Sequence, residues 1–160
     1  MTICQVSTME IVSLNPRIAA AESLIALSNA YMQALYPAES NHLESVAAMQ
    51  SANVLFLGAY VEGVLAGCGA VKLLNDGAPY GELKRMFVLE SYRGKGISKA
   101  ILKHLEAHLL ASGVAIARLE TGIRQPEALG LYRRQGYRER APFGDYLPDP
   151  LSLFMEKQLA

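Results

Sequence analysis

The spacing of apolar residues switches repeatedly between strand and helix periods along this chain, and most of the fold is legible in those changes. Val54–Val61 and Val64–Leu74 are apolar runs rich in β-branched and small residues, separated by Glu62-Gly63, which predicts a β-hairpin. Asn75-Asp76-Gly77-Ala78-Pro79 is a second turn, so Tyr80–Leu89 is expected as a third antiparallel strand. The period then lengthens. Ile97, Ile101, Leu105 and Leu109 recur at helical spacing and predict a helix over Ile97–Ala111, stopped by Ser112-Gly113. Upstream, Thr8–Leu14 reads as a first strand. Asn15-Pro16 reads as an N-cap and first helical residue, and Leu24, Leu27, Tyr31 and Leu35 carry that helix to Leu35. Tyr36–Ser40 breaks it, and Asn41 with Glu44 resembles a capping box opening a second helix through Met49. Downstream come a strand at Val114–Thr121, a helix at Pro126–Gln135 ended by Gly136, the short stretch Tyr137–Arg140, a Pro/Gly/Asp loop to Pro150, and a closing strand at Leu151–Lys157. Hairpins first and β-α-β-α-β afterwards imply an α/β fold with one mixed, mostly antiparallel central sheet and helices on both faces. No repeat or linker interrupts it, so residues 1–160 are expected to form a single domain.

Composition narrows the function classes. At 160 residues, 51% hydrophobic and 19% charged, the chain is globular rather than disordered. A formal net charge of +0 provides no general pull toward nucleic acid or an anionic membrane. No uninterrupted apolar segment approaches membrane-spanning length, and no leader is evident. Cys4 and Cys68 suit neither a disulfide framework nor a zinc site, which fits a reducing, cytoplasmic setting. His104 and His108 sit at i, i+4, but beside the helix's apolar stripe and with Glu106 out of metalloprotease register. They read as solvated, and no metal is expected. Cys68, between two glycines, reads as buried packing, and Arg133, Arg134, Arg138 and Arg140, interleaved with Glu139, as a solvated surface.

The chemistry begins at Tyr92-Arg93-Gly94-Lys95-Gly96-Ile97-Ser98, between strand and helix. Two glycines at such a turn leave backbone N–H groups unshielded, and the helix start adds its positive dipole end. Arg93 and Lys95 contribute two cations. The stretch is an anion cradle suited to phosphate or pyrophosphate, with a merely tight connection as the alternative. It matches neither G-x-x-x-x-G-K-[ST] nor G-x-G-x-x-G, which disfavours a kinase-like P-loop protein and a dinucleotide fold.

From these residues the chain resembles the Gcn5-related N-acetyltransferases, small acyl-CoA-dependent transferases. Their pyrophosphate loop, Q/R-x-x-G-x-G/A, is here Ser91-Tyr92-Arg93-Gly94-Lys95-Gly96, departing at its first position. Their second element, A-x-x-L-Y-x-x-x-G-[FY], matches Ala128–Tyr137, with Gln125 where an asparagine usually touches the pantetheine. Glu120-Thr121-Gly122, Gln125-Pro126 and Pro142-Phe143-Gly144-Asp145-Tyr146 with Asp149-Pro150 resemble a small bacterial branch of the family.

The resemblance implies acetyl transfer from acetyl-CoA to a primary amine, directly, in a ternary complex. It implies coenzyme contacts from Met86, Phe87, Val88, Arg93, Gly94, Lys95, Gly96, Ile97, Ser98, Gln125 and Tyr132, with the Met86 amide at the thioester carbonyl. Such chemistry needs a base for the ammonium and an acid for the leaving thiolate. Glu82, six residues before Val88, matches the glutamate of the histone-modifying members and is the base candidate; an exposed residue paired with Lys84 or Arg85 is the alternative. Period-two alternation puts Glu82, Lys84, Met86 and Val88 on one face. Tyr132 is the candidate acid, against the plainer role of a packed helix tyrosine. The acceptor pocket is expected near Tyr36, Phe143, Asp145, Tyr146 and Asp149, the two aspartates either holding an ammonium or only stabilising turns. The absence of long acidic runs points to a small amine or amino-acid-like acceptor rather than a basic polypeptide. A catalytically degenerate acyl-CoA-binding protein and a protein N-acetyltransferase are the rival readings. The sequence leaves the oligomeric state open, a homodimer included.

Overall fold

The computed structural model describes residues 8–160, so Cys4 lies outside the described residues. In chain order the elements are β1 (Met9–Ser13), α1 (Ala19–Leu35), α2 (Val46–Met49), β2 (Val54–Val61), β3 (Val64–Asn75), β4 (Pro79–Val88), α3 (Ile97–Ala111), β5 (Ile116–Gly122), α4 (Pro126–Arg134), β6 (Arg138–Arg140) and β7 (Ser152–Gln158). The strands form one sheet in the order β1-β2-β3-β4-β5-β7-β6, and only the β4–β5 pairing is parallel. Alternation along β2 and β3 splits the core. Val71, Leu83 and Leu119 meet the stripe Ile97, Ile101, Leu105 and Leu109 of α3 on one face, with Leu129 and Tyr132 of α4. Phe56, Cys68 and Ala70 meet Ala21, Leu24 and Ile25 of α1 on the other.

Two helix starts differ from expectation. Asn15 does not cap α1. Its Oδ1 accepts from the Arg17 amide at 3.0 Å and from Gln50 Nε2 at 3.2 Å, an Asx turn three residues before the helix opens, and Ile18 stands at the N-cap. Nor do Asn41 and Glu44 form a capping box. Ser45 caps the single turn of α2 by accepting from the Ala48 amide, because the Glu44 carboxylate is drawn 3.0 Å from Lys84 Nζ across the sheet.

The third correction lies in β4. Its register with β3 passes from Cys68↔Phe87 to Ala70↔Lys84, leaving Arg85 and Met86 opposite Gly69 alone. Arg85 takes up the extra residue with φ 58°, a left-handed conformation that costs roughly 1–2 kcal/mol for a non-glycine residue. Three contacts offset that cost. The buried Cys68 thiol donates to the Arg85 carbonyl at 3.3 Å, and Arg85 Nε and Nη2 both donate to the Glu44 carbonyl, at 3.2 and 2.9 Å. The Met86 sulfur meanwhile fills the space above Gly69, where any Cβ would overlap it and Ile101. The bulge reverses the phase of the strand. Glu82 and Lys84 lie beside Tyr146 and Glu44, whereas Met86 and Val88 pack with Ile97 and Ile101 on the opposite face, so the four do not share a side.

One buried charge fastens α3 to the final strand. Glu106, 6% exposed, accepts from Tyr137 Oη at 3.0 Å and pairs with Lys157 Nζ at 2.9 Å. The Tyr137 ring stands edge-on to Tyr132 at 5.8 Å between centroids. Removing Lys157 leaves the desolvated carboxylate with Tyr137 and only the longer, 3.6 Å contact to exposed Lys103, whereas removing the carboxylate as well leaves no buried charge to compensate. Lys157→Met should therefore cost about 3 kcal/mol of stability in urea unfolding, and Glu106→Leu combined with Lys157→Met should cost less than Lys157→Met alone. A double variant that is the less stable of the two would contradict this account.

Candidate active site

Parallel pairing of β4 with β5 lasts only from Gly81–Leu83 against Ala117–Leu119. Past that point the bulge carries β4 away, and the strands open into a cleft of about 720 Å³. Its walls are β4 from Lys84 to Val88, the turn into α3, the end of β5 at Glu120 and Thr121, the inner side of α4 with Tyr132, and Tyr31 and Met32 of α1. A crevice at the carboxyl ends of parallel strands is where α/β sheets bind ligands.

At one end lies the glycine turn. Gly94 and Gly96 have φ of 78° and 79°, and Gly96 is the N-cap of α3. A Cβ at either would meet nothing within 4 Å, so it is the backbone conformation that demands glycine there. The first backbone hydrogen bond past Arg93 runs from the Ala100 amide to the Gly96 carbonyl, which leaves the amides from Gly94 to Lys99 without a backbone acceptor among the described residues. Six successive donors without a backbone partner at a helix start form an arrangement able to accept an anion such as a diphosphate. The two cations behave differently from the sequence expectation. Arg93 turns back into the wall: Nε donates to the Val88 carbonyl at 3.1 Å, and the guanidinium lies over Tyr31 at 5.1 Å and Phe87 at 5.7 Å. Lys95 rests on the Tyr92 ring at 5.2 Å, outside the cleft. Of the residues expected to contact a coenzyme, Met86, Phe87, Val88, Arg93, Gly94, Gly96, Ile97, Ser98, Gln125 and Tyr132 line the cleft.

Two carboxylates and a phenol sit where the strands part. Glu82 is 3% exposed and lies 3.3 Å from Lys84 Nζ; its Oε1 is buried without a hydrogen-bond partner. Lys84 and Tyr146 stand between it and the cleft, joined by a 3.2 Å hydrogen bond from Nζ to the phenol oxygen. Glu120 forms part of the cleft wall itself. Burial raises its pKa above the ordinary 4.5 and Glu82 adds to the rise, against the opposing pull of Ser152, His42 and Lys84. The Tyr132 phenol, 6% exposed, is pushed well above 10 by burial and then by the nearby charge of Glu120. Burial is also the first cause of the high Tyr146 pKa, followed by Glu82. Cys68 is buried as expected and its thiol pushed up to about 12, which leaves it inert as a nucleophile.

Of the residues expected around the acceptor, Tyr146 reaches the cleft. Tyr36 is buried under β5, with its hydroxyl accepting from the Arg124 amide at 3.0 Å and donating to Gln125 Oε1 at 3.3 Å. It thus orients Gln125, which does line the cleft. Phe143 is buried among Tyr80, Tyr146 and Phe154, so it supports Tyr146 from behind. Asp149 ties its own turn, accepting from the Leu151 amide at 2.8 Å and Ser40 Oγ at 2.7 Å, while Asp145 is exposed. Sequence reasoning passed over Glu120 and Arg85. The signal for Glu120 was present: the one acid in Ile116–Gly122, near the end of the strand that runs parallel to β4. Arg85 carried no comparable signal, because only the bulge gives it its place. Among the described residues no group of His, Cys, Asp and Glu could hold a metal ion, and no helix is long and apolar enough to cross a membrane.

The chain is similar to known proteins over most of its length. The profile of the Acetyltransferase (GNAT) family matches residues 21–137. An IAA acetyltransferase of Azospirillum brasilense is 46% identical over 129 residues, covering 81% of this chain and 84% of its own length. The crystal structure of a Klebsiella pneumoniae protein described as an acyl-CoA N-acyltransferase superposes with a TM-score of 0.79 at 34% identity, over 96% of this chain and 99% of that one. The PaiA N-acetyltransferase of Thermoplasma acidophilum, solved in complex with coenzyme A, shares the fold at a TM-score of 0.69 and 22% identity, over 94% and 99% of the two chains. With a family profile spanning most of its length and a cleft of this construction, the chain belongs to the GNAT family of acetyltransferases.

Proposed function

We propose that this acetyltransferase moves an acetyl group from acetyl-CoA to a primary amine by direct transfer, with both substrates bound in the cleft at once. The carrying observation is the row of unsatisfied amides from Gly94 to Lys99 at the mouth of a cleft that ends at Glu120 and Tyr132. The diphosphate of the coenzyme is assigned to those amides, and its pantetheine arm to the gap between β4 and β5. The bulge withdraws Met86 from the β3 ladder where β5 is no longer paired, which supports its amide as the donor to the thioester carbonyl as negative charge develops there.

An alkylammonium with a pKa near ~10 must lose a proton before it can attack. We give that proton to Glu120, because it forms part of the cleft wall and its raised pKa makes it a stronger base than an ordinary carboxylate. Glu82, the sequence candidate, then acts from behind: its charge helps hold the Glu120 pKa up. As the C–N bond forms and the C–S bond breaks, Tyr132 donates its proton to the departing sulfur, and the second proton shed by the nitrogen restores the phenol. Its elevated pKa keeps the phenol protonated until that moment, and the two groups are linked. Once Glu120 has taken the amine's proton its charge is gone, and with it one of the two causes that hold the Tyr132 proton in place.

An acetyl-CoA-dependent thiol-release assay over a panel of amines and amino acids should give turnover with at least one. If calorimetry shows acetyl-CoA binding but no amine yields turnover, the reading as a degenerate acyl-CoA binder takes over. Tyr132→Phe should lower kcat by roughly 100-fold while changing the acetyl-CoA KM little; an unaltered kcat would remove the proton-donor role. Wild-type kcat/KM should rise with pH through an inflection above 4.5 as Glu120 deprotonates, and Glu120→Gln should abolish that limb. The stability sign is the reverse. The folded protein holds this proton at pH values where the unfolded chain has released it, so the Glu120 contribution fades as pH rises through the elevated value, and Glu120→Gln should flatten that decline in urea midpoints. Gly96→Val should raise the acetyl-CoA KM at least ~10-fold with a smaller effect on kcat, since it forces a β-branched residue into the left-handed region.

A further inference from the structure

Arg85 is a cation of the cleft wall that the chemistry above does not use. It projects from the bulge onto the Glu44 carbonyl, and His42, Glu44 and Tyr146 line the same cleft. A guanidinium presents two donor edges. Nε and Nη2 occupy the first on the Glu44 carbonyl, which fixes the plane of the group. The second edge is formed by Nη1 and the remaining hydrogen of Nη2, and Nη1 is buried without any hydrogen-bond partner. The neighbouring carboxylates are already committed. Glu44 is held by Lys84 at 3.0 Å and Lys72 at 3.9 Å, and Glu82 by Lys84 at 3.3 Å. Arg85 thus has no ion pair among the described residues, although it lies in a partly desolvated wall. Leaving a buried charged donor unsatisfied is costly, and a planar two-donor edge matches a carboxylate bidentately.

We propose that Arg85 receives the carboxylate of the acceptor, so that the acceptor class is the α-amino acids rather than simple amines. This rests on the acetyl-transfer reading only for which end of the molecule reacts. Glu120 follows the last β5 residue paired with β4, and Arg85 stands two residues past the last paired residue of β4, so both flank the point where the strands part. On this assignment an α-amino acid, whose ammonium and carboxylate share one carbon, offers its amine to Glu120 and its carboxylate to Arg85, while Tyr31, Met32 and Tyr146 of the same cleft are left for its side chain. Arg85 acts here as a specificity residue, and the strained bulge is what delivers it.

The test separates binding from turnover. Calorimetry on coenzyme A-saturated protein would compare free amino acids with their carboxamides, their decarboxylated amines and phosphoethanolamine. Thiol release with acetyl-CoA would be measured on the same panel. At least one free amino acid should bind on the order of 30-fold more tightly than its carboxamide, as expected for a desolvated charge pair. That ratio should collapse toward unity in Arg85→Gln, whose amide can still donate to the Glu44 carbonyl. Arg85→Lys, which keeps the charge but loses the fork, should fall between, and thermal melts would verify that each variant is folded. The inference is overturned if no amino acid binds, if carboxamides or decarboxylated amines bind equally well, if phosphoethanolamine binds best, or if the preference survives in both variants. Amino acid binding that depends on Arg85 but gives no turnover would uphold this inference and sink the catalytic reading instead.

Discussion

The molecule depends on a local argument between two backbones at Gly69 and Arg85. Were β4 a regular strand, its pairing with β5 could continue past Leu83 and close the sheet. Instead one inserted residue in a left-handed conformation bends β4 away, and a single break in hydrogen bonding opens the cleft. The distortion is held from three directions at once: a thiol below, a carbonyl from the loop before α2, and a methionine sulfur seated where β3 has no side chain. Such over-determination is what lets strain persist at a functional site.

Around that opening the rest of the site is arranged by quite ordinary means. The apolar stripe of α3 sets the helix on the sheet so that its free amides face the cleft mouth. The short β5 brings Glu120 to the far wall, and α4 lays Tyr132 beside it, backed by the Tyr137 ring. Electrostatics then differentiates groups that look alike in the sequence. Glu82, Glu106 and Glu120 are all largely buried, yet Glu106 is paired with Lys157, Glu82 with Lys84, and only Glu120 combines a place in the cleft wall with a raised pKa.

What the sequence disclosed and what it hid follow one physical division. Periodicity revealed α3 residue for residue and the strands to within a residue or two, because each is set by which positions must be buried. The glycine turn was equally open to reading, since its conformation resides in backbone and spacing. The failures share a cause: they concern contacts between residues far apart in the sequence. Glu44 could have capped α2 but is taken by Lys84. Asn15 could have capped α1 but serves Arg17 and Gln50. The phase of β4 depends on an absent side chain at position 69, sixteen residues away from Arg85, and no pattern within β4 announces it. Tyr36 and Phe143, expected at the acceptor pocket, lie one layer beneath the cleft wall, where they support Gln125 and Tyr146.

The order of strands carries a consequence for cooperativity. Among the described elements β7 comes last in the chain, yet it lies between β5 and β6 in the sheet. Until β7 inserts, β5 and β6 lack the partner that joins them, and Glu106 lacks its 2.9 Å contact with Lys157. Closing the sheet and clasping α3 are therefore a single event, which ties Ser152–Gln158 to the helix whose unpaired amides open on the cleft.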